Sequence, residues 1–124
     1  MLVVGVDLVE IRRIENALGR HGDRFLERVF TAAECDHCAG RVEALAARWA
    51  AKEAVAKALG TGVGDVRWRE IEIWCDDRGK PHIRLHGAAS RLAVALGITE
   101  LSVSLAHEGE YAIAFVVGTS SVEG

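Results

Sequence analysis

The pattern of apolar and polar residues predicts a strand followed by short helices in the first third of the chain. Leu2 to Val6 is a short apolar run that ends at Asp7, which is typical of a buried strand. Apolar residues then recur every three or four positions, which predicts an amphipathic helix over 8–18. The segment 23–29 indicates a second short helix, and the capping-box sequence 31–34 predicts that a third begins at Thr31.

The clearest helical segment of the sequence is 42–59. It contains neither glycine nor proline, and alanine, leucine, lysine, arginine and glutamate dominate it. The glycine-rich segment 60–64 follows directly and predicts an abrupt end to the helix.

The second half of the sequence predicts strands and one further helix. Alternation over 70–74, a loop over 76–80 and the segment 82–86 indicate a hairpin. Beyond them we predict a helix and two strands, over 87–97, 101–105 and 111–117. This order favours an α+β fold with a mostly antiparallel sheet. We expect one domain over 1–118 and a frayed polar tail over 119–124.

Composition narrows the classes of function. The chain has 124 residues, half of them hydrophobic, with 15 Lys+Arg against 18 Asp+Glu and a net charge of −3. This balance argues against a general nucleic-acid binder, and no apolar run is long enough to predict a membrane span. The first residues lack a basic segment before their apolar run, so they do not resemble a signal peptide. The odd number of cysteines, three, indicates a reducing compartment, and we expect a cytoplasmic protein.

Three residues are candidates for a catalytic or binding role, and each also has a purely structural interpretation. Asp7 lies where a strand meets a helical segment, so it either caps that helix or carries function at a strand end. Glu53 and Lys57 are four apart and share a helix face. They form either a surface ion pair or, beside the glycine-rich segment, a site for a metal and a phosphate.

Other candidates are weaker on their own. The glycine-rich segment is not a Walker loop and suits a plain helix end, and His107 alone is more often structural than functional. Cys35 and Cys38 have metal-like spacing, but only Cys75 remains to complete a closed zinc site. Arginines crowd the first helices and give either solvated faces or a basic patch for an acidic partner: Arg12, Arg13, Arg20, Arg24 and Arg28.

Taken in order, these segments resemble the small bacterial 4′-phosphopantetheinyl transferases, the holo-(acyl-carrier-protein) synthase family. The resemblance covers nearly the whole chain and depends on an ordered set of short motifs. These are Gly5-Val6-Asp7-Leu8-Val9-Glu10-Ile11, Phe30-Thr31 with Glu34, Arg48-Trp49-Ala50-Ala51-Lys52-Glu53-Ala54, Lys57-Ala58-Leu59-Gly60-Thr61-Gly62, Gly79-Lys80-Pro81 and Val103-Ser104-Leu105-Ala106-His107.

The resemblance implies the fold of that family, with the sheet packed against a long central helix, and its reaction. The phosphopantetheine arm of coenzyme A moves to a serine of apo acyl carrier protein and leaves 3′,5′-ADP. Asp7 and Glu53 are implied as ligands of Mg²⁺, and Lys57 as a cation on the phosphates. The implied contacts of coenzyme A are Arg48, Lys57, Gly60, Thr61, Gly62, Pro81 and His107.

The resemblance leaves the general base open. Glu53 is the first choice, and Asp7, His107 and Glu108 are alternatives. It also implies a homotrimer with active sites between subunits, and a docking surface for the acidic helix of the carrier at Arg13, Arg20, Arg24 and Arg28. Two other functions suit the same residues, namely a noncatalytic carrier-binding module and a metal-dependent phosphohydrolase. Which carrier is modified, in fatty-acid or polyketide synthesis, is also open.

Overall fold

The protein is described by a computed structural model over residues 1–61 and 65–121. Its elements, in chain order, are β1 (Leu2–Glu10), α1 (Ile11–His21), α2 (Asp23–Val29), α3 (Ala32–Cys38), α4 (Val42–Ala58), a 3₁₀ turn (Trp68–Glu70), β2 (Ile71–Cys75), β3 (Pro81–Leu85), α5 (Gly87–Ala95), β4 (Ile98–Glu108) and β5 (Tyr111–Ser120).

The strands form two antiparallel sheets. One has three strands in the order β1-β5-β4, and the other is the β2-β3 hairpin. Ala114 at the middle of β5 pairs with Asp7 on one side and with Leu105 on the other. The α+β class and the antiparallel sheets predicted from the sequence are confirmed.

Helix α4 is the centre of the core, because its small side chains let strands and helices approach it from several sides. Ala50, Ala51 and Ala54 are fully buried. Strand β1 lies so close that a Cβ on Gly5 would overlap the carbonyl oxygen of Ala54. This backbone contact determines the position of β1 along the axis of α4. Across residues 1–61 and 65–121, no helix is long and apolar enough to cross a bilayer.

The start of the first helix differs from the prediction. Strand β1 continues to Glu10, which pairs with Tyr111, and the amide of Ile11 donates to the carbonyl of Glu110 at 2.8 Å. The prediction of a helix from residue 8 is therefore wrong by three residues, because the neighbouring strand overrides the local helical spacing. Asp7 lies inside a strand and is not a helix cap.

The end of the chain is more ordered than predicted. Strand β5 continues to Ser120, whose amide donates to the carbonyl of Met1 at 2.7 Å, and Ser121 donates to Gly97 at 2.8 Å. The expectation of a frayed tail from residue 119 is wrong for 119 and 120, because Thr119 pairs with both β1 and β4 and Ser120 pairs with β4. Residues 122–124 of that predicted tail lie outside the described residues.

The predicted capping box at the start of α3 is confirmed. The amide of Glu34 donates to Thr31 Oγ1 at 3.2 Å, and the amide of Thr31 donates to Glu34 Oε1 at 2.9 Å. These bonds satisfy two backbone donors that a helix start would otherwise leave unpaired. They also hold the Glu34 carboxylate inside the fold, where it meets α4.

Candidate active site

Two carboxylates from distant parts of the sequence come together where β1 crosses α4. Gly5 touches the backbone of α4 at Ala54, and Asp7 lies two residues further along the same face of β1. Glu53 immediately precedes Ala54 on the helix. Burial first, and then the negative charge of Asp7, raise the pKa of the Glu53 carboxyl above its ordinary value. We call Asp7 and Glu53 the carboxylate pair.

Lys57 joins this pair from one helical turn further along α4. Its Nζ donates to the carbonyl oxygen of Val6 at 2.8 Å and to Asp7 Oδ1 at 3.2 Å. The Asp7 side chain is only 15% exposed, whereas that of Lys57 is 54% exposed. The lysine therefore covers one oxygen of Asp7 while part of its own side chain stays open to solvent.

The second oxygen of Asp7 has the environment of a cation ligand. Asp7 Oδ2 is buried and has no hydrogen-bond partner within the part of the chain that the structure describes. An unpaired buried carboxylate oxygen is costly, and beside it Glu53 is pushed towards its neutral form. A hard divalent cation would relieve both costs, and Mg²⁺ favours such oxygen ligands.

The donor set also fits Mg²⁺ better than a metal held by protein side chains alone. Among the residues described, no cluster of three or more His, Cys, Asp or Glu side chains is placed to hold an ion. Mg²⁺ commonly takes one or two carboxylates and completes its octahedron with water and substrate phosphates. The carboxylate pair therefore meets the requirements for such a shared ion.

The coenzyme A contacts predicted in the glycine-rich segment directly follow α4. Gly60 has φ +77°, its amide donates to Lys57 O at 3.0 Å, and the amide of Thr61 donates to Ala56 O at 3.0 Å. This is a Schellman ending, in which glycine provides the left-handed conformation. The Thr61 hydroxyl also donates to the Asp65 carboxylate. Gly62, the third predicted contact, lies outside the described residues.

The other predicted coenzyme A contacts lie together in a groove of about 640 Å³. Arg48, Pro81 and His107 all line it, at the open edge of β4 and the tip of the β2-β3 hairpin. Arg48 is almost fully buried, with Nη1 donating to Ala44 O at 3.1 Å and Nη2 to Cys75 Sγ at 3.4 Å. Its Nε is buried and unpartnered within the described part of the chain.

The groove is also lined by basic residues to which the sequence analysis assigned no role. They are His37, Arg41 and Lys80. Lys80 belongs to Gly79-Lys80-Pro81, one of the motifs of the family resemblance, and this was the signal in the sequence for a role of that residue. Nothing in the local sequence places the end of α3 beside that hairpin, so the basic lining became visible only in three dimensions.

The carboxylate pair and the groove face different directions. Asp7, Glu53 and Lys57 do not line the groove. Glu53 is five residues beyond Arg48 on α4, which places it about 140° further round the helix axis. Asp7 is two strands away from Leu105, or roughly 10 Å across the sheet. One chain therefore presents two halves of the predicted site, on separate surfaces.

The four predicted docking arginines lie on α1 and α2 and are exposed: Arg13, Arg20, Arg24 and Arg28. Within residues 1–61 and 65–121 none of them has an ion-pair partner within 4 Å. Arg13 rests on the ring of Trp49 at 4.7 Å, and Trp49 in turn stacks on Trp68 with ring centroids 5.1 Å apart. Arg13 acts electrostatically on the Glu53 carboxyl, so these exposed arginines begin near the carboxylate pair.

Sequence reasoning also missed a buried ion pair behind the site. Lys52 and Glu34 are both fully buried, with Nζ and Oε1 2.7 Å apart, and Lys52 also donates to Trp68 O and Ile71 O. Burial lowers the pKa of Lys52, and the Glu34 carboxylate opposes that change. The pair fastens α3, α4 and the 3₁₀ turn together. The signal in the sequence was the position of Lys52 within an alanine-rich helical segment.

Comparison with known proteins gives a consistent result. The family described as the 4′-phosphopantetheinyl transferase superfamily matches residues 3–116. A protein of Herpetosiphon aurantiacus named holo-[acyl-carrier-protein] synthase is 57% identical over 125 residues, covering 95% of this chain and 98% of that protein. A second, from Moorella thermoacetica and with the same name, is 47% identical over the full length of both chains.

Solved structures are similar over the same range. The holo-[acyl-carrier-protein] synthase of Helicobacter pylori, solved in complex with coenzyme A, has a TM-score of 0.87 and 33% identity, covering 94% of this chain and 99% of that one. The corresponding enzyme of Bacillus anthracis, solved in complex with CoA (3′,5′-ADP), has a TM-score of 0.78 and 37% identity, covering 96% of each chain.

Proposed function

The chain belongs to the 4′-phosphopantetheinyl transferase superfamily and, within it, to the holo-[acyl-carrier-protein] synthases, and on that premise we propose the details of its reaction. It transfers the 4′-phosphopantetheine arm of coenzyme A to a serine of apo acyl carrier protein, depends on Mg²⁺ and releases 3′,5′-ADP. The observation that carries the proposal is the buried Oδ2 of Asp7, which has no hydrogen-bond partner among the described residues and lies beside Glu53 and Lys57.

The proposed chemistry is one displacement at phosphorus. The serine oxygen forms a bond to the phosphorus that carries the pantetheine arm, and the bond from that phosphorus to the oxygen of 3′,5′-ADP breaks. Asp7 and Glu53 would hold Mg²⁺, which when bound supplies positive charge that offsets the diphosphate and orients it. Lys57, half exposed beside Asp7, is placed to give a second positive charge to the same phosphates.

Glu53 is the proposed general base for the serine proton. Burial and the negative charge of Asp7 raise its pKa above the ordinary value, and its carboxylate lies where we propose that the diphosphate binds. Asp7 is the weaker candidate because Lys57 already donates to its Oδ1. His107 and Glu108 remain alternatives, since both are exposed at the end of β4.

We assign coenzyme A to the groove and to the end of α4. The groove's volume suits a nucleotide-sized ligand, and its basic lining suits phosphate. Arg48, Pro81 and His107 contribute from the groove. Gly60 and Thr61 contribute from the helix end beside Lys57, together with Gly62.

The proposed assembly is a homotrimer in which each substrate bridges two chains. The outer face of the sheet, opposite α4, exposes apolar side chains that are unusual on a solvated surface: Leu2, Val4, Val6, Leu8, Tyr111, Ile113 and Phe115. Phe115 belongs to this face and also lines the groove. A second copy that covers the face therefore lies against the groove, where it can bring its own carboxylate pair.

A single reaction mixture tests the function. The protein is incubated with apo acyl carrier protein, coenzyme A and Mg²⁺, and the carrier is weighed by mass spectrometry. We expect a mass gain of one phosphopantetheine arm and stoichiometric 3′,5′-ADP. An unchanged carrier would instead indicate a noncatalytic binding module, and release of free phosphate would indicate a phosphohydrolase.

A further inference from the structure

Two arginines at the start of the 3₁₀ turn 68–70 are not among the four predicted docking arginines. Arg67 and Arg69 lie on either side of Trp68, and both are exposed. Within the described residues neither side chain has a hydrogen bond or an ion pair within 4 Å. With Arg28 of α2 they line a depression of about 480 Å³. Three arginines therefore border one depression at a place that the proposed reaction chemistry does not use.

Several contacts hold the 3₁₀ turn in place. The Trp68 ring stacks on Trp49, and the Trp68 carbonyl accepts a bond from the buried Lys52 Nζ at 3.0 Å. The amide of Arg67 donates to Glu70 Oε1 at 2.7 Å. Because these three contacts restrain the backbone of the turn, binding of a partner to the two arginines costs little further backbone entropy.

Among the residues that the structure describes, nearby acidic groups do not neutralise these arginines by direct contact. The Glu70 carboxylate accepts backbone bonds from Arg67 and, at 2.6 Å, from Ala88, so it faces the start of α5. Glu27 also lines the depression but has no ion-pair partner within 4 Å among the described residues. The depression thus keeps an excess of positive charge in a chain whose net charge is −3.

We propose that Arg67 and Arg69 form a second contact region for the acyl carrier protein, binding acidic side chains beyond those that α1 engages. The region is continuous with the docking arginines, because Arg28 lines the depression and the stack Arg13–Trp49–Trp68 connects α1 to the turn. The inference rests on the proposed function. Arg67 and Arg69 act in docking and orientation of the carrier, and they do not touch the reacting atoms.

The test is a steady-state analysis of the double variant Arg67→Gln/Arg69→Gln, with purified apo acyl carrier protein of Herpetosiphon aurantiacus as the varied substrate. We expect the KM for the carrier to rise about tenfold, with kcat and the KM for coenzyme A within about twofold of wild type. The dependence of kcat/KM on salt should also become shallower, because two charges no longer attract the carrier.

Arg91→Gln is the matched control, since Arg91 is exposed on α5, and it should leave all of these parameters unchanged. The thermal midpoint of each variant confirms that it is folded. If Arg67→Gln/Arg69→Gln leaves the KM for the carrier and the salt dependence unchanged, or raises the KM for coenzyme A equally, the docking inference is wrong while the proposed function stands. If wild-type protein makes no holo-carrier, the proposed function itself fails.

Discussion

Glu53 is the side chain on which the proposed chemistry depends most directly. Glu53→Gln keeps the size of the side chain but removes the charge that would hold Mg²⁺ and accept the serine proton. We expect kcat to fall by roughly 100-fold or more, with the fold intact. Mass spectrometry of the carrier measures the transfer, and calorimetric titration with Mg²⁺ measures the loss of metal binding.

Glu100→Gln provides a control for that substitution, because Glu100 is an exposed glutamate on β4, away from the carboxylate pair. It should transfer at the wild-type rate. Turnover by Glu53→Gln at the wild-type rate would reject Glu53 as both ligand and base.

The sequence predicted which side chains lie close together only where they are near each other along the chain. The helical period alone places Lys57 beside Glu53. The approach of Asp7 to both depends on where β1 crosses α4, and only the family resemblance indicated it. Neither route suggested that Glu34 and Lys52 pair in the core, because that contact depends on how α3 packs against α4. The catalytic and binding roles stay predictions.

The contact between β1 and α4 determines where Asp7 lies, and Gly5 makes that contact possible. Gly5→Ala would drive a Cβ into the backbone of Ala54, which cannot move without displacing the helix. We expect a loss of about 1–3 kcal/mol in the free energy of unfolding. Transfer activity should fall as well, because Asp7 shifts relative to Glu53. Urea unfolding at fixed protein concentration and the carrier assay measure the two effects.

Gly19→Ala is the corresponding control within α1. A Cβ at Gly19 meets no atom of residues 1–61 or 65–121 within 4 Å, so the substitution should stabilise the helix by about 0.5–1 kcal/mol and leave activity intact. An equal loss of stability in both variants would show that the backbone contact at Gly5 is not the cause.

Glu70 links the 3₁₀ turn to α5 and gives a pH-dependent prediction. The bond from the Arg67 amide, aided by that from Ala88 and by nearby arginines, holds the pKa of Glu70 below its ordinary value against the opposing effect of burial. A carboxyl with a lowered folded-state pKa stabilises the fold above its unfolded pKa. That contribution is lost as the pH falls through the folded-state pKa.

Glu70→Gln should therefore lower the free energy of unfolding at neutral pH by on the order of 1 kcal/mol, since solvent screens this partly exposed group. The difference from wild type should shrink as the pH falls through the folded-state pKa of Glu70, below which both side chains are uncharged. Urea unfolding over a series of pH values from neutral to acidic measures it. A difference that does not change with pH would assign the effect to shape and not to charge.

The elements themselves followed from the sequence where the pattern was long or the cap distinctive. Helix α4 and the capping box at Thr31 and Glu34 were predicted close to their observed bounds. The strands were predicted too short at both ends of the chain, since their length depends on the strands paired beside them. Local spacing could not show that Leu8 points away from α4 on a strand rather than inward on a helix.

The largest gap between sequence and function concerns assembly. The structure exposes Ile113 and Phe115 of β5, and the same apolar face extends across β1. A homotrimer explains why the carboxylate pair and the groove lie on separate surfaces. The trimer is a prediction, and it makes the activity of mixed assemblies a direct test.

Two variants that are inactive alone should restore activity when co-expressed, provided that they damage different halves of the site. One variant is Glu53→Gln, and the other is Arg48→Gln/His107→Ala in the groove. If each site takes its carboxylates from one chain and its groove from the next, about a quarter of the sites in a random mixture are intact. Mixing Glu53→Gln with Asp7→Asn should restore nothing, because both damage the same half. Recovery in the second mixture, or none in the first, would contradict a site shared between subunits.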